Sequence, residues 1–318
     1  MISIIKQRKI WLTFSSLMFV ISLILFASFG LKLGIDFTGG SLLELEFYTQ
    51  EQPTNQQIND ALAPLGIDNM TIQSVGEKGI AIRSKDIDEA THQKILTTLQ
   101  EKFKITGEAK TPDGTPLQYE AKAFEEKKFD SIGPSIGQEL KKKAIWAIVI
   151  AVIAIIAYIA WAFRKVSKPV SSWKYGVVAV ISLLHDIVIT VGFFALLGKF
   201  YGLEINAPFI AALLTIFGYS NNDTIVVFDR TRENLIRHMG QDFEKIVDIS
   251  LNEVIVRSIN TSLTVLLALF SLLLFGGSTI RDFVLALIFG VIIGTYSSIF
   301  VASPLLVVWQ RLQNKISK

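Results

Sequence analysis

The chain has 318 residues, of which 51% are hydrophobic and 19% charged, with a net charge of +3. Soluble domains carry about 25% charged residues, so this composition disfavours a soluble protein and indicates an integral membrane protein. The absence of cysteine excludes disulfides and thiol catalysis, and with three histidines we expect no metal and no cofactor. The basic residues cluster at the ends of apolar runs, which indicates membrane topology and no nucleic-acid partner.

Six apolar runs predict six transmembrane helices. The first covers about Ile10–Leu31, within an N-terminal segment of residues 1–31. A polar region, residues 32–143, separates it from a predicted five-helix bundle over residues 144–318. Each run is long enough to cross a hydrocarbon core of about 30 Å. The five later helices are predicted at about Ala144–Phe163, Tyr175–Leu197, Ile205–Phe228, Ser258–Phe275 and Phe283–Trp309.

Basic residues in the short loops predict the orientation. Lysine and arginine are concentrated at both termini and in the loops after the second and fourth helices, whereas the opposite loops carry one each, Lys199 and Arg281. The positive-inside rule then places both termini in the cytoplasm and residues 32–143 on the periplasmic side.

Residues 32–143 predict a small α+β domain with the element order β-α-β-β-α-β. Leu43, Leu45 and Phe47 alternate with glutamates, as in a half-buried strand, and Thr54 is placed to cap the helix that follows. The order is that of a ferredoxin-like fold, and no catalytic motif is present. The remaining elements are predicted at Met70–Val75, Ile80–Arg83, Asp86–Phe103 and Leu117–Phe124.

The sequence GIDFTGG follows directly after the first predicted helix. Gly34, Gly39 and Gly40 allow positive φ and close backbone contact where the chain leaves the membrane. Asp36 is expected to cap this turn or to hydrogen-bond within it. We interpret the segment as a structural joint and not as a substrate contact.

Ionisable residues inside predicted membrane helices are functional candidates. Asp223 lies about 9 Å along its helix from the charged end at Asp229, and Arg257 opens the next helix. Two antiparallel neighbours would bring both charges to a similar depth. Either the two form a static ion pair that fixes helix register, or Asp223 is a proton-coupling site next to Arg257. A polar stripe beyond Arg257, at Asn260, Thr261 and Thr264, favours the second interpretation, although Arg257 alone could also lie at the interface.

Two further patterns lie in the predicted bundle. Asp186, beside His185, falls near the middle of the third helix and is either a weaker proton-coupling candidate or a hydrogen-bonding group that packs helices. Gly290 and Gly294 belong to a series of small residues spaced by four in the last helix. Such spacing is typical of a close helix-packing seam.

Three motifs resemble the SecF family of bacterial protein-export membrane subunits: GIDFTGG at Gly34–Gly40, GPSIGQEL at Gly133–Leu140, and GYSNNDTIVVFDRTREN at Gly218–Asn234. They occur in the family's order, and the resemblance covers essentially the whole chain.

The resemblance implies a six-helix membrane protein of the inner membrane, similar to one half of a resistance-nodulation-division transporter. It implies no enzyme activity, but proton-driven assistance to protein export, with Asp223 and Arg257 in the family's proton-coupling positions. The implied partners are SecD, the SecYEG channel with SecA, the translocating preprotein and membrane lipid, with YajC and YidC as further candidates. A half-size solute exporter and a non-transporting assembly scaffold remain alternatives.

Overall fold

The computed structural model describes residues 3–49, 52–67, 69–75, 78–110, 116–162, 172–277 and 280–316. The chain divides into two compact units. The sheet unit covers Leu33–Lys143, and the helix unit combines the residues up to Lys32 with those from Ala144 onward.

The helices, in chain order, are α1 Arg8–Phe29, α2 Ile35–Thr38, α3 Asn55–Leu62, α4 Glu89–Phe103, α5 Pro134–Ala162, α6 Ser172–Tyr201, α7 Ala207–Arg237, α8 Phe243–Phe275, α9 Arg281–Ser297 and α10 Ser303–Ile316. The strands are β1 Gly40–Phe47, β2 Thr71–Val75, β3 Gly79–Ser84, β4 Ile105–Lys110, β5 Pro116–Ala121 and β6 Phe124–Ile132.

Five helical stretches of the described chain are long and apolar enough to cross a membrane: Ile5–Phe29, Pro134–Ile159, Trp173–Tyr201, Phe243–Phe275 and Arg281–Gln313. Each overlaps one of the six predicted helices, although α5 and α8 begin earlier, at Pro134 and Phe243, than the predicted starts at Ala144 and Ser258. The predicted fourth helix lies within α7, a 31-residue helix that is not among the five. Its polar run from Tyr219 to Thr224 and its charged end lower its apolar character.

Small residues allow close helix contacts in the helix unit. A Cβ on Gly192 of α6 would lie 2.6 Å from Ser22 Cα of α1. A Cβ on Gly294 of α9 would lie 2.7 Å from Ser220 Cβ of α7. Carbon atoms prefer separations of about 3.5–4.0 Å, so these helices approach as closely as they do because no side chain intervenes.

One turn of π-helix, Ser298–Ala302, separates α9 from α10. Pro304 follows at the second position of α10. A proline lacks the N–H that would continue the preceding hydrogen-bond ladder, which accounts for a wide turn at this point.

The sheet unit is built on a four-stranded antiparallel sheet with the order β2-β3-β1-β6. Helices α3 and α4 cover one face, where Leu45, Phe47, Ile58 and Leu99 are almost fully buried. The prediction that Thr54 caps α3 is confirmed, because its hydroxyl accepts from the Gln57 amide while the Gln57 side chain accepts from the Thr54 amide.

The prediction of the last strand was wrong. Leu117 and the residues up to Ala121 lie in β5, which pairs only with β4 among the described strands. The strand that completes the sheet is β6, which pairs with β1 across a register shift at Glu44/Leu45. A bulge interrupts the two-residue alternation of a strand. The sequence of β6, FEEKKFDSI, also contains a charged run. For both reasons its residues do not show the alternation that predicts a half-buried strand. The predicted start of α4 at Asp86 was also early, because Asp88 is the cap and accepts from the Thr91 amide.

The GIDFTGG segment forms a single helical turn, α2, followed by a sharp bend. Gly39 and Gly40 have φ of +75° and +116°, whereas Gly34 is extended at −77°. Of the three glycines that allow positive φ, Gly39 and Gly40 therefore adopt it and Gly34 does not. Asp36 lies inside the first turn and not at its cap, because Gly34 already occupies the cap position.

The bend is closed by the GPSIGQEL segment. A Cβ on Gly39 would lie 2.8 Å from Pro134 Cα, and a Cβ on Gly137 would lie 2.8 Å from the Gly39 amide nitrogen. A Cβ on Gly40 would lie 2.7 Å from the Ser84 carbonyl oxygen. The glycines of the two motifs therefore permit a backbone contact that larger residues would prevent.

Candidate functional site

The carboxylate of Asp223 lies in the middle of α7 and is only 6% exposed. Its Oδ2 atom accepts no hydrogen bond from any described residue. The hydroxyl of Ser258 and the charge of Arg257, both on α8, act on this carboxylate. Buried polar atoms usually have a hydrogen-bond partner, so this carboxylate oxygen is an open acceptor of the site.

Arg257 is exposed on the surface of the helix unit and makes no direct ion pair with a described residue. The static ion pair considered from the sequence is therefore not formed in this arrangement. The guanidinium acts on Asp223 from a distance, and Ser258 rather than Arg257 supplies the neighbouring hydrogen-bonding group.

The polar stripe beyond Arg257 lies on the exposed side of α8, as Arg257 does. Asn260, Thr261 and Thr264 are exposed, and both threonine hydroxyls donate to carbonyls of α8 itself. The hydroxyls that face α7 belong to Ser258 and Ser262, which are 1% and 4% exposed. At 3.6 residues per turn, a shift of one position rotates a side chain by about 100°. The two serines therefore lie on a different side of α8 from the asparagine and the two threonines.

A chain of hydroxyls links α7, α8 and α9. Tyr219 donates to Ser262 Oγ at 3.1 Å, and Ser262 Oγ lies 2.5 Å from Thr295 Oγ1. Tyr219 is one turn before Asp223 on the same helix. These three hydroxyl groups therefore place polar atoms near the Asp223 carboxylate without adding another charge.

Asp186 lies in α6 and is fully buried, with hydrogen bonds from three directions. Ser220 of α7 and Ser297 of α9 donate to its Oδ2 at 2.5 and 2.7 Å, and His185 Nδ1 lies 3.0 Å from its Oδ1. His185 stacks on Phe19 of α1 with ring centroids 6.4 Å apart. Asp186 thus joins three helices, and its carboxylate is satisfied where that of Asp223 is not.

The two aspartates share α7 as a common element. Ser220, which donates to Asp186, is three residues before Asp223 and also contacts Gly294 of α9. A rotation or shift of α7 at Asp223 would therefore disturb the hydrogen bond to Asp186 and the close packing at Gly294.

A network of charges lies about two to three turns beyond Asp223, towards the end of α7. Arg230 donates to Glu253 at 2.6 Å and to Glu233 at 2.5 Å, and Asn234 donates to Glu253 at 2.6 Å. A cavity of about 410 Å³ lies beside it, and Arg257 is among its lining residues. Water in this cavity could reach the neighbourhood of Arg257. Sequence reasoning missed this network, although the spacing of arginine and glutamate on α7 is a detectable signal.

The site holds no cluster of metal-binding residues within the described chain. What it contains is one unsatisfied buried carboxylate, a distant guanidinium, and hydroxyls on neighbouring helices. An ionisable group in such a position within a membrane helix is a functional candidate.

Comparisons with known proteins place these features in a family context. The family described as "Protein export membrane protein SecD/SecF, C-terminal" matches residues 115–312, and the "SecD/SecF GG Motif" matches residues 24–48. The SecF protein translocase subunit of Thermobaculum terrenum is 43% identical over 98% of this chain and 94% of its own length. The SecF subunit of Anaerolinea thermophila is 37% identical, with the same two coverages.

A solved structure is also similar. The crystal structure of SecDF, a translocon-associated membrane protein from Thermus thermophilus, matches with a TM-score of 0.77 and 28% identity over 98% of this chain. The match covers 39% of that longer protein. A super-membrane-facing form of SecDF matches with a TM-score of 0.66.

Proposed function

The chain belongs to the SecD/SecF family of protein-export membrane proteins, and on this premise we propose that it is the SecF-type accessory subunit of a protein translocase. Its relatives are translocase subunits matched over nearly their whole length, so its role is that of a subunit and not of an enzyme. It uses the proton motive force together with SecD to promote late steps of export through SecYEG.

The unpartnered carboxylate oxygen of Asp223 is the observation that carries this proposal. A static packing group in a membrane would have its hydrogen bonds satisfied, as Asp186 does. Among the described residues, Asp223 instead has an acceptor oxygen without a hydrogen bond, and the distant Arg257 makes no ion pair. These are the features expected of a site that alternates between a protonated and an ionised state.

The proton-coupling step follows from this geometry. Protonation of Asp223 removes its negative charge and with it the attraction of Arg257. Helix α7 is then free to shift against α8 and α9. A proton that crosses 100 mV releases about 2.3 kcal/mol, which biases a two-state motion by about fiftyfold. Asp186 holds α6, α7 and α9 together during this motion, and a weaker relay role for it is the alternative.

The exposed side of α8 supports a membrane partner. Arg257, Asn260, Thr261 and Thr264 are all exposed in the single chain, and such a stripe is not stable against lipid. A SecD helix that covers the stripe would remove it from lipid and would bring further polar groups near Asp223. SecYEG with SecA, the preprotein, YajC and YidC are the wider set of proposed partners.

The finer architecture is also a proposal. Helix α7 is counted as a sixth span because its length exceeds the bilayer core and its polar face is buried in the bundle. The sheet order β2-β3-β1-β6, with α3 and α4 on one face, supports a ferredoxin-like domain in which β4 and β5 are an insertion. Residues 32–143 are placed in the periplasm, Gly34 to Gly40 with Asp36 form the joint, and both termini lie in the cytoplasm of the inner membrane.

The proposal is tested by export into inverted membrane vesicles, with and without a proton gradient. Asp223→Asn keeps the size of the side chain but cannot titrate, so we expect the gradient-dependent gain in export to be lost. Asp229→Asn is the matched control, because Asp229 is an exposed aspartate six residues further along the same helix. Full gradient-dependent export by the Asp223→Asn vesicles would refute the proton role.

Isolation of the native complex separates the alternatives. Co-isolation with SecD and SecYEG agrees with the proposal. A periplasmic adaptor and an outer-membrane channel in place of the translocase would identify a half-size solute exporter. If the complex contains translocase subunits but Asp223→Asn has no effect on export, the chain is an assembly scaffold.

A further inference from the structure

A groove of about 610 Å³ opens on the surface of the helix unit between the start of α6 and the end of α10. Its lining is apolar except for Lys174 and Gln313, and it is separate from the site around Asp223. The apolar lining residues are Trp173, Val178, Ile181, Leu305, Val308, Trp309 and Leu312.

The groove lies at the edge of the membrane. The apolar stretch of α6 begins at Trp173, and the stretch that contains α10 ends at Gln313. Trp173 and Trp309 meet edge to face, with ring centroids 5.2 Å apart. Tryptophans of this kind mark the level of the lipid headgroups, so the groove runs from the headgroup level into the acyl region.

Lys174 is the unusual residue of this groove. It is only 5% exposed, and it makes no ion pair with a described residue. Its ammonium group donates to the neutral Gln313 side chain and lies 5.7 Å from the centre of the Trp173 ring. A lysine is almost never buried without a partner of opposite charge.

The helix end adds to the need for an anion. Lys174 lies in the first turn of α6, where the helix dipole is positive and disfavours a cation. An anion at this place would be stabilised by the ammonium group and by the N–H groups of the first turn, which have no partner within the helix. No acidic side chain of a described residue forms an ion pair with Lys174, so we expect an anion from outside the described chain to neutralise this charge.

We propose that this groove binds an anionic phospholipid. The phosphate lies against Lys174 and the start of α6, and an acyl chain fills the apolar groove between α6 and α10. Charge complementarity selects the anionic headgroup, and the position at the membrane surface selects a lipid over a soluble ligand.

Quenching of tryptophan fluorescence by brominated lipids tests the proposal directly. The full chain is placed in phosphatidylcholine vesicles that contain equal fractions of brominated phosphatidylglycerol or brominated phosphatidylcholine. The tryptophans outside the groove are replaced, so that only the groove pair reports: Trp11→Phe, Trp146→Phe and Trp161→Phe.

We expect the brominated anionic lipid to bind the groove about fivefold more tightly than the brominated neutral lipid, which is the preference that one basic residue contributes at an anionic surface. Lys174→Gln should reduce the ratio to about one, and Lys174→Arg should keep it. Lys199→Gln is the matched control, because Lys199 is an exposed lysine near the other end of the same helix.

Two results would overturn the proposal. Equal quenching by the two brominated lipids before any change at Lys174 would show that the groove does not select an anion, as expected if a protein segment fills it, and this comparison does not depend on how the Lys174 variants fold. An unchanged preference in Lys174→Gln would place the selectivity elsewhere.

Discussion

The close contact between α9 and α7 gives a stability prediction that can be worked out from distances. A methyl group added by Gly294→Ala would lie 2.7 Å from Ser220 Cβ and 3.0 Å from Ser220 Cα. Carbon atoms prefer about 3.5–4.0 Å, so the gap is short by roughly 1 Å. Neither atom of Ser220 can rotate away, because both are fixed by the backbone of α7. The two helices must therefore move apart.

The expected cost of this separation combines two effects. Overpacking of a close contact costs about 1–3 kcal/mol. The hydrogen bond from Ser220 to Asp186, now 2.5 Å, also lengthens, and a hydrogen bond between membrane helices is worth about 0.6 kcal/mol. We expect Gly294→Ala to lower the free energy of unfolding by about 2–3 kcal/mol.

The measurement is equilibrium unfolding of the full chain by sodium dodecyl sulfate in mixed micelles. Gly218→Ala is the matched control, because Gly218 is an exposed glycine of α7 with no atom within 4 Å of an added Cβ. Alanine at such a position stabilises a helix by about 0.5–1 kcal/mol. The reasoning is refuted if Gly294→Ala is as stable as the unchanged chain, or if Gly218→Ala loses as much stability as Gly294→Ala.

Two further predictions concern Asp186 and Asp88. Asp186→Leu removes the acceptor shared by two serine hydroxyls and should cost about 1–2 kcal/mol in the same unfolding experiment, whereas Asp186→Asn should keep most of the stability and of the gradient-dependent export. Loss of that export in a stable Asp186→Asn protein would instead assign a relay role to Asp186. In the sheet unit, hydrogen bonds from the Thr91 hydroxyl and amide hold the pKa of Asp88 below its usual range. The contribution of the ionised Asp88 carboxylate to the stability of the sheet unit is therefore present above about pH 4, and it is lost as the pH falls through the lowered pKa. Hydrogen exchange should show α4 opening in acid, with a weaker pH dependence in Asp88→Asn.

The sequence identified the charged residues of the site because membrane helices rarely contain them. Asp223, Arg257 and Asp186 are charged residues in apolar segments, so they can be identified from the sequence alone. The serines of α8 that face α7 were missed because the asparagine and threonines after Arg257 form the more obvious polar pattern. Ser250, Ser258 and Ser262 are all buried on α8, and their spacing by eight and four was the signal of its packing face.

The fold of the sheet unit was predicted where its residues alternate and was missed where they do not. Strand β1 alternates and Thr54 has the sequence of a capping box, so both are local signals. Strand β6 follows the β4–β5 pair and pairs with β1 across a register shift. This pairing joins residues that are far apart in the sequence, so the residues of β6 alone do not predict it. Side-chain contacts such as those of Asp186 depend in the same way on three helices that are distant in the sequence.

The central claim is that Asp223 takes up and releases a proton as protons cross the membrane. Difference infrared spectroscopy of the complex in sealed vesicles measures the protonated carboxyl group directly, and Asp223→Asn identifies its band. The account predicts that this band rises and falls when a proton gradient is imposed and collapsed. A carboxylate that stays ionised under every gradient would contradict it.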